Sequence, residues 1–211
     1  MTNWKHWLVA FSGVFWLLAI GAGFKVLLSY SNTAGASAHA PVEWPAASEV
    51  RPSGDIPTLV MIAHPRCPCT RASINELSIL MSRCQGKVAA AVLFIRPEGL
   101  PADWEQTDLL RGAAAIPGVT VLADPGGVEA ARFGAETSGQ VVLYDHKGRL
   151  IFEGGITAAR GHEGDNDGRS AIVSLLDSGG AYRSMTPVFG CPINNDGSKC
   201  PMEVVNANAH K

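Results

Sequence analysis

The chain has 211 residues, enough for one ordinary domain with additions at its ends. Its 17 basic and 19 acidic side chains nearly cancel, which speaks against a nucleic-acid partner. Five cysteines are too few for a disulfide scaffold, and 23 glycines with 13 prolines fit a loop-rich domain better than a helical bundle.

Residues 1–30 read as a membrane anchor. Lys5 and His6 precede an uncharged run from Trp7 to Phe24; Lys25 interrupts it and Val26-Leu27-Leu28 continues. The run approaches the ~20 residues that a spanning helix needs. Lys25 can snorkel to the interface, and Trp7 and Tyr30 bracket the segment as interfacial aromatics do. Lys5 on the short leading side predicts a cytoplasmic N-terminus. That gives a single pass through a bacterial inner membrane over residues 7–29, with the rest of the chain on the periplasmic side. The alternative is a cleaved signal peptide, with small-residue sites at Ala36-Ser37-Ala38 and Ala38-His39-Ala40. Those sites lie well beyond the apolar run, which favours an uncleaved anchor. Both readings export the remainder to where disulfide chemistry is expected. Residues 31–56, rich in Ser, Ala, Gly and Pro, read as a flexible tether.

Thr58–Ala63 is a continuous apolar run and reads as a buried strand. After the cysteines, Ala72, Ile74, Leu77, Leu80, Met81 and Cys84 recur at helical spacing, with Gly86 as a stop. A second buried strand covers 87–96, a turn 97–101, and a helix about 102–115. Val119–Ala123 is a third strand, closed by Asp124-Pro125-Gly126-Gly127, and a short helix covers 128–133. Residues 140–145 and 149–153 form a hairpin that Gly154-Gly155 ends. A charged, Gly-rich loop covers 157–168, the last helix runs over 170–176, and an irregular tail starts at Gly179. The order β-α-β-α-β-α-β-β-α is mixed α/β.

The chemistry is expected in His64-Pro65-Arg66-Cys67-Pro68-Cys69-Thr70-Arg71, between the first strand and its helix. A cysteine-bearing turn from strand to helix is a redox arrangement. The thiolate is the nucleophile, and a helix N-terminus lowers a thiol's pKa. The bland readings are two small structural residues in a turn, or a metal clip. His64 and Arg66 flank the thiols, and a nearby cation would stabilise a thiolate; a solvated turn is the other reading for both. A direct Cys67–Cys69 bond would be strained and easily reduced. Cys84 lies on the apolar stripe and reads as a buried structural thiol. Cys191 and Cys200 either bond each other and staple the tail, or Cys191 reaches Cys67 as a resolving thiol.

Over residues 55–178 the chain resembles the thioredoxin-like superfamily, with the extra elements of exported, membrane-tethered thiol oxidoreductases and peroxiredoxins. The resemblance rests on the strand–Cys–helix unit, the late hairpin, and the Asp145-His146-Lys147-Gly148 turn. More narrowly, the motif from His64 to Thr70, Thr137-Ser138-Gly139 and Gly154-Gly155-Ile156-Thr157 are similar to a RedB-type or TlpA-like redoxin branch. It implies a thioredoxin-like domain over 57–178 and a Cys-containing tail over 179–211.

The family's active site is Cys-x-x-Cys, whereas this chain has Cys67-Pro68-Cys69. With Cys67 in the first position, Thr70 falls where the second thiol would be, and Pro68 sits at the first helical position, where its missing N–H costs nothing. That register makes Cys67 the nucleophile and Cys69 either its close partner or a helix residue turned inward. No proline precedes Gln140, where thioredoxins carry a cis-proline, so Ser138 and Gly139 would leave room beside Cys67. In this fold the loop after Gly155 rims the site, and Arg160 or His162 could meet substrate.

The resulting expectation is a membrane-anchored thiol–disulfide oxidoreductase acting outside the cytoplasm on a protein or small-molecule disulfide or thiol, with no cofactor and no metal. The alternatives are a thiol peroxidase and a non-enzymatic Cu(I)-handling redoxin using Cys67, Cys69, His64 and Cys191.

Overall fold

The structure is a computed structural model that describes residues 4–36, 39–181 and 183–193. It divides into two units, 1–33 and 34–211.

The first unit is one helix, α1 (Trp4–Asn32). Its 29 residues span about 43 Å at the α-helical rise, longer than a ~30 Å hydrocarbon core. The stretch His6–Asn32 has a mean hydropathy of 1.9 and is long and apolar enough to cross a membrane. Large apolar side chains such as Phe15, Trp16 and Leu17 stand exposed on successive positions, so the helix has no polar face.

The second unit is built on a five-stranded sheet. Its elements are β1 (Thr58–Ala63), α2 (Pro68–Arg83), β2 (Ala89–Arg96), α3 (Asp108–Ala114), β3 (Val119–Pro125), α4 (Val128–Arg132), β4 (Gln140–Tyr144), β5 (Leu150–Gly155) and α5 (Asp167–Ser178). The strand order is β3-β2-β1-β4-β5. β1, β2 and β3 run parallel; β4 is antiparallel to both β1 and β5. β1 therefore lies in the middle, which is why its whole length is apolar. Its alternate side chains feed two cores. Leu59, Met61 and Ala63 meet Leu77 and Leu80 of α2 and Ile172 of α5 on one face. Val60 and Ile62 meet Phe133, Val142 and Tyr144 on the other.

The element order matches that read from the sequence; several boundaries move. The helix expected over 102–115 is only α3. Residues 101–106 fold into turns through Trp104 N–H to Pro101 O (3.1 Å) and Gln106 N–H to Asp103 O (2.9 Å). Thr107 then caps the helix, its hydroxyl accepting from Leu110 N–H. α5 starts three residues before the expected Ser170, because the Asn166 side chain accepts from Arg169 N–H at 2.7 Å. β5 continues through Gly154 and Gly155 instead of stopping before them.

Two stretches without periodicity are laid onto the domain. The expected tether over 31–56 is not free beyond residue 34. Trp44 N–H bonds Gly148 O (2.8 Å), Leu150 N–H bonds Val42 O (2.8 Å), and Ala40 N–H bonds the Glu153 carboxylate (2.8 Å). Trp44 packs edge-on against Phe133 and Tyr144 at 5.2 and 5.1 Å, and Ala40 and Val50 are buried beside them. The described part of the tail is ordered too. Residues 184–188 follow β5, with Glu153 N–H to Ser184 O and Thr186 N–H to Glu153 O. The chain then crosses to the stretch before β4 and pairs antiparallel with it at Thr137–Pro192. Residues 184–193 are called the strap below.

Candidate active site

β1 ends at Ala63, and His64-Pro65-Arg66 turn the chain into α2. Cys67 is the N-cap residue of α2, in extended backbone geometry (φ −89°, ψ 123°), and Pro68 opens the helix. Cys67 N–H bonds His64 O at 3.2 Å and Thr70 N–H bonds Cys67 O at 3.1 Å. No acidic residue lies in the first turn. The positive end of the helix dipole therefore faces the thiol without a competing carboxylate.

Behind the thiols, three polar groups close on one another. Ser138 Oγ accepts from His64 N–H (2.9 Å), lies 2.8 Å from Thr70 Oγ1, and Thr70 Oγ1 donates to His64 O (3.1 Å). With the Thr70 proton on that carbonyl, Ser138 donates to Thr70, and every buried donor in the ring is used. Gly139 follows with φ +89°, its N–H on Ile62 O at 2.7 Å. A Cβ there would also come within 2.7 Å of Ser73 Oγ, so both backbone and space require glycine. Among the described residues no peptide bond is cis.

The strap completes the site. Ser138 N–H bonds Cys191 O (2.9 Å) and Ile193 N–H bonds Glu136 O (3.0 Å). This pairing lays the Cys191 thiol 3.2 Å from Cys67 Sγ. The sulfurs of Cys67, Cys69 and Cys191 all lie within 4.8 Å of one another. Cys67, Cys69, Cys84 and Cys191 are free thiols. Cys67 is 0% exposed and Cys191 9% exposed, so the Cys67 thiol is covered by its own chain.

The cluster shares its protons unequally. The Cys191 hydrogen bond, aided by Cys69 and by the Thr70 and Cys69 backbone N–H groups, holds the Cys67 thiol far below the ordinary thiol range despite burial. The same contact with Cys67 drives Cys191 up, with Cys69 and burial adding to it. For Cys69 the Cys191 contact pulls down; the Cys67 hydrogen bond, burial and repulsion from the Cys67 charge outweigh it, and its pKa rises. One thiolate, on Cys67, is thus held by two protonated neighbours.

Of the flanking residues, His64 is buried, with its ring edge-on to Trp104 at 5.4 Å and Nδ1 accepting from Arg66 N–H. The Arg66 guanidinium lies over Trp104, 4.8 Å from the ring centre. Arg66 is therefore occupied with an aromatic face. The cation felt by the thiol cluster is Arg160, which acts on Cys69 and donates to Gly190 O of the strap. His162 is exposed. The loop bearing Arg160 is held at its far end by Glu76 of α2, which is fully buried. Glu76 accepts from Gly164 N–H (2.6 Å), Asn166 Nδ2 (3.1 Å) and the Arg169 guanidinium.

The roles of Trp104 and of the Glu76–Arg169 pair were not visible in the sequence, since both depend on contacts between distant segments. Cys191 was visible as an alternative; Phe189-Gly190-Cys191-Pro192 carries the same Cys-Pro step as Cys67-Pro68. Its other expected partner, Cys200, lies outside the described residues. Cys84 is buried in the core beside Leu80 and Met81, as expected.

No protein-family model matches the chain, and no curated protein matches it significantly. Solved structures do. An uncharacterized conserved protein from Geobacillus kaustophilus is similar with a TM-score of 0.56 and 18% identity, over 79% of this chain and 94% of that one. A hypothetical protein from Sinorhizobium meliloti is similar with a TM-score of 0.54 and 22% identity, over 76% and 93%. A thioredoxin-like protein solved in its oxidized form aligns with a TM-score of 0.43 and 14% identity, over 67% and 93%. The fold is thioredoxin-like. Against that thioredoxin-like frame, Ser138 and Gly139 occupy the stretch before β4, and the strap, not open solvent, lies beside it.

Proposed function

We propose that the chain is a thiol–disulfide oxidoreductase in which Cys67 is the attacking thiol and Cys191 the resolving thiol. The observation that carries this is the 3.2 Å contact between their sulfurs at the N-terminus of α2. The Cys67 thiolate attacks one sulfur of a target disulfide; a Cys67–target bond forms, and the other target sulfur leaves as thiolate. Cys191 loses its proton to solvent and attacks Cys67. The Cys67–Cys191 bond forms and the second target sulfur leaves. Two electrons have passed to the target, and an external dithiol returns them. Run backwards, the same steps oxidise a dithiol. A thiolate stabilised as strongly as Cys67 favours the reduced protein, so the Cys67–Cys191 disulfide is expected to be oxidising.

The reading includes the setting: α1 as a single-pass anchor, Lys5 on the cytoplasmic side, the domain beyond it in the periplasm, and kinship with the exported RedB-type or TlpA-like redoxins. Support comes from the length and hydropathy of α1 and from thiol chemistry suited to an oxidising compartment.

The test is the disulfide map of the oxidised full chain, with model-disulfide reduction by the wild type and Cys67→Ser. A Cys67–Cys191 bond and loss of reduction in Cys67→Ser are expected. Undiminished reduction in that variant, or an oxidised protein whose Cys67 is unbonded, overturns the assignment.

One observation favours a second reading. Three thiol sulfurs within 4.8 Å of one another are a soft donor set of the kind that suits Cu(I). Cys67 and Cys191 would join Cys69 as ligands. Stoichiometric Cu(I) held by the reduced protein against a chelator, and released in Cys69→Ser, would favour it over exchange chemistry.

A further inference from the structure

The strap is bound as a strand is bound by another strand. Its backbone supplies a carbonyl at Cys191 to Ser138 N–H and an N–H at Ile193 to Glu136 O, with Thr137 and Pro192 opposed between them. At this end the buried strap side chains are Cys191 and Ile193. Gly190 lies so close to Ser138 that a Cβ on it would fall 1.8 Å from the Ser138 carbonyl oxygen. Its other holds here are the Arg160 guanidinium on Gly190 O and the buried Ile193. While the strap is seated, Cys67 has no exposed surface.

We infer that the strap occupies the place of the substrate, and that the substrate is an extended polypeptide segment whose cysteine sulfur takes the position of the Cys191 thiol. This rests on the exchange chemistry proposed above and adds to it a substrate class and a gate. Backbone pairing to Glu136 and Ser138 gives affinity that does not depend on side-chain identity. A glycine ahead of the cysteine is required by the space at Ser138. The strap lifts, the segment pairs in its place, and Cys67 attacks it. The strap's return brings Cys191 to the mixed disulfide and displaces the product, so one motion serves access and release.

The experiment uses the full chain in detergent and two reagents with the same leaving group. One is a peptide copying residues 186–193 with its cysteine joined to thionitrobenzoate; the other is the symmetric disulfide of thionitrobenzoate. In each reaction the Cys67 thiolate forms a new S–S bond, and the coloured thionitrobenzoate anion leaves with the electron pair. Rates at Cys67 are taken as the difference from Cys67→Ser. Gly190→Ala, which cannot seat the strap, is expected to react with the peptide about tenfold or more faster than wild type. Arg160→Ala, which removes the clasp without adding bulk, is expected to move in the same direction. In Gly190→Ala, N-methylation of the peptide at the position of Ile193 is expected to slow it about tenfold, while the symmetric reagent ignores strand pairing altogether. Equal rates for the plain and N-methylated peptides overturn the strand-docking claim and leave the exchange chemistry standing. Peptide rates unchanged in both Gly190→Ala and Arg160→Ala overturn the gate. A Cys67 inert to both reagents in every variant removes the exchange chemistry as well.

Discussion

Residues 39–53 and the strap are alike in composition and opposite in use. Both are punctuated by prolines, both lack periodicity, and both lie along the sheet through backbone hydrogen bonds. The leading stretch is pinned by hydrophobic contact: Trp44 against two aromatic rings, with Ala40 and Val50 buried. The active-site end of the strap is pinned by two backbone bonds, one arginine and Ile193, and it carries a thiol. Segments held by few apolar contacts open at lower free energy than those that share the core. The first stretch is thus part of the fold; the proposed gate takes the second as a moving part resting on it.

The largest effect that would sharpen this contrast belongs to Cys191→Ser. Turnover against a protein disulfide should fall about 100-fold or more, with the Cys67 mixed disulfide accumulating, because resolution then waits for an external thiol. Thermal stability should barely move, and non-reducing electrophoresis with mass spectrometry reads the trapped adduct. A wild-type rate of turnover would break the assignment of Cys191.

Trp44→Ala should do the reverse. Loss of a half-buried indole from an aromatic cluster is expected to cost about 2–3 kcal/mol in urea unfolding while leaving the exchange rate of the folded protein unchanged. If the cost were near zero, residues 39–53 would be a tether after all.

Next in size is a shift in acidity. Because the Cys67 thiol is held low mainly by Cys191, the reduced protein should keep one thiolate well below the ordinary thiol pKa of about 8.5. Its ultraviolet thiolate absorbance should therefore persist on acidification and vanish only in acid. Cys191→Ala removes the chief hydrogen bond, so the midpoint should move up; an unmoved midpoint would show that the helix end alone sets it.

The smallest effect is expected at Ser138→Ala. It deletes one hydroxyl from the ring with Thr70 and His64 and strands a buried donor, for about 1–2 kcal/mol of stability by calorimetry. Exchange by the strap should be little changed, since it pairs with the Ser138 backbone.

Much of this molecule was legible in its sequence where the signal is local. The continuous apolar run of β1, the helical stripe of α2 and the turn at Asp145–Gly148 follow from periodicity and turn chemistry. The placement of Cys67 at a helix start was legible from Pro68. The ends of α3 and α5 were missed because Thr107 and Asn166 cap from within stretches that read as helix and as loop. The packing of residues 39–53 and 184–193 was out of reach for a different reason. Backbone bonds can be made by any residue except proline's missing N–H, so pairing between distant segments leaves almost no mark on composition. The same blindness made Arg66, adjacent in sequence, look like the thiols' cation, when Trp104 takes it and Arg160 arrives from 93 positions later than Cys67.

Glu76 sits on the helix that Cys67 caps, about 13 Å along its axis from Cys67 at the α-helical rise. It anchors the loop whose other end grips the strap at Gly190. A single rigid rod therefore sets both where the Cys67 sulfur stands and how far the clasp can reach. Lengthening that rod by one residue between Cys67 and Glu76 would rotate the carboxylate about 100° away from Arg169 and slacken the strap without touching a single thiol.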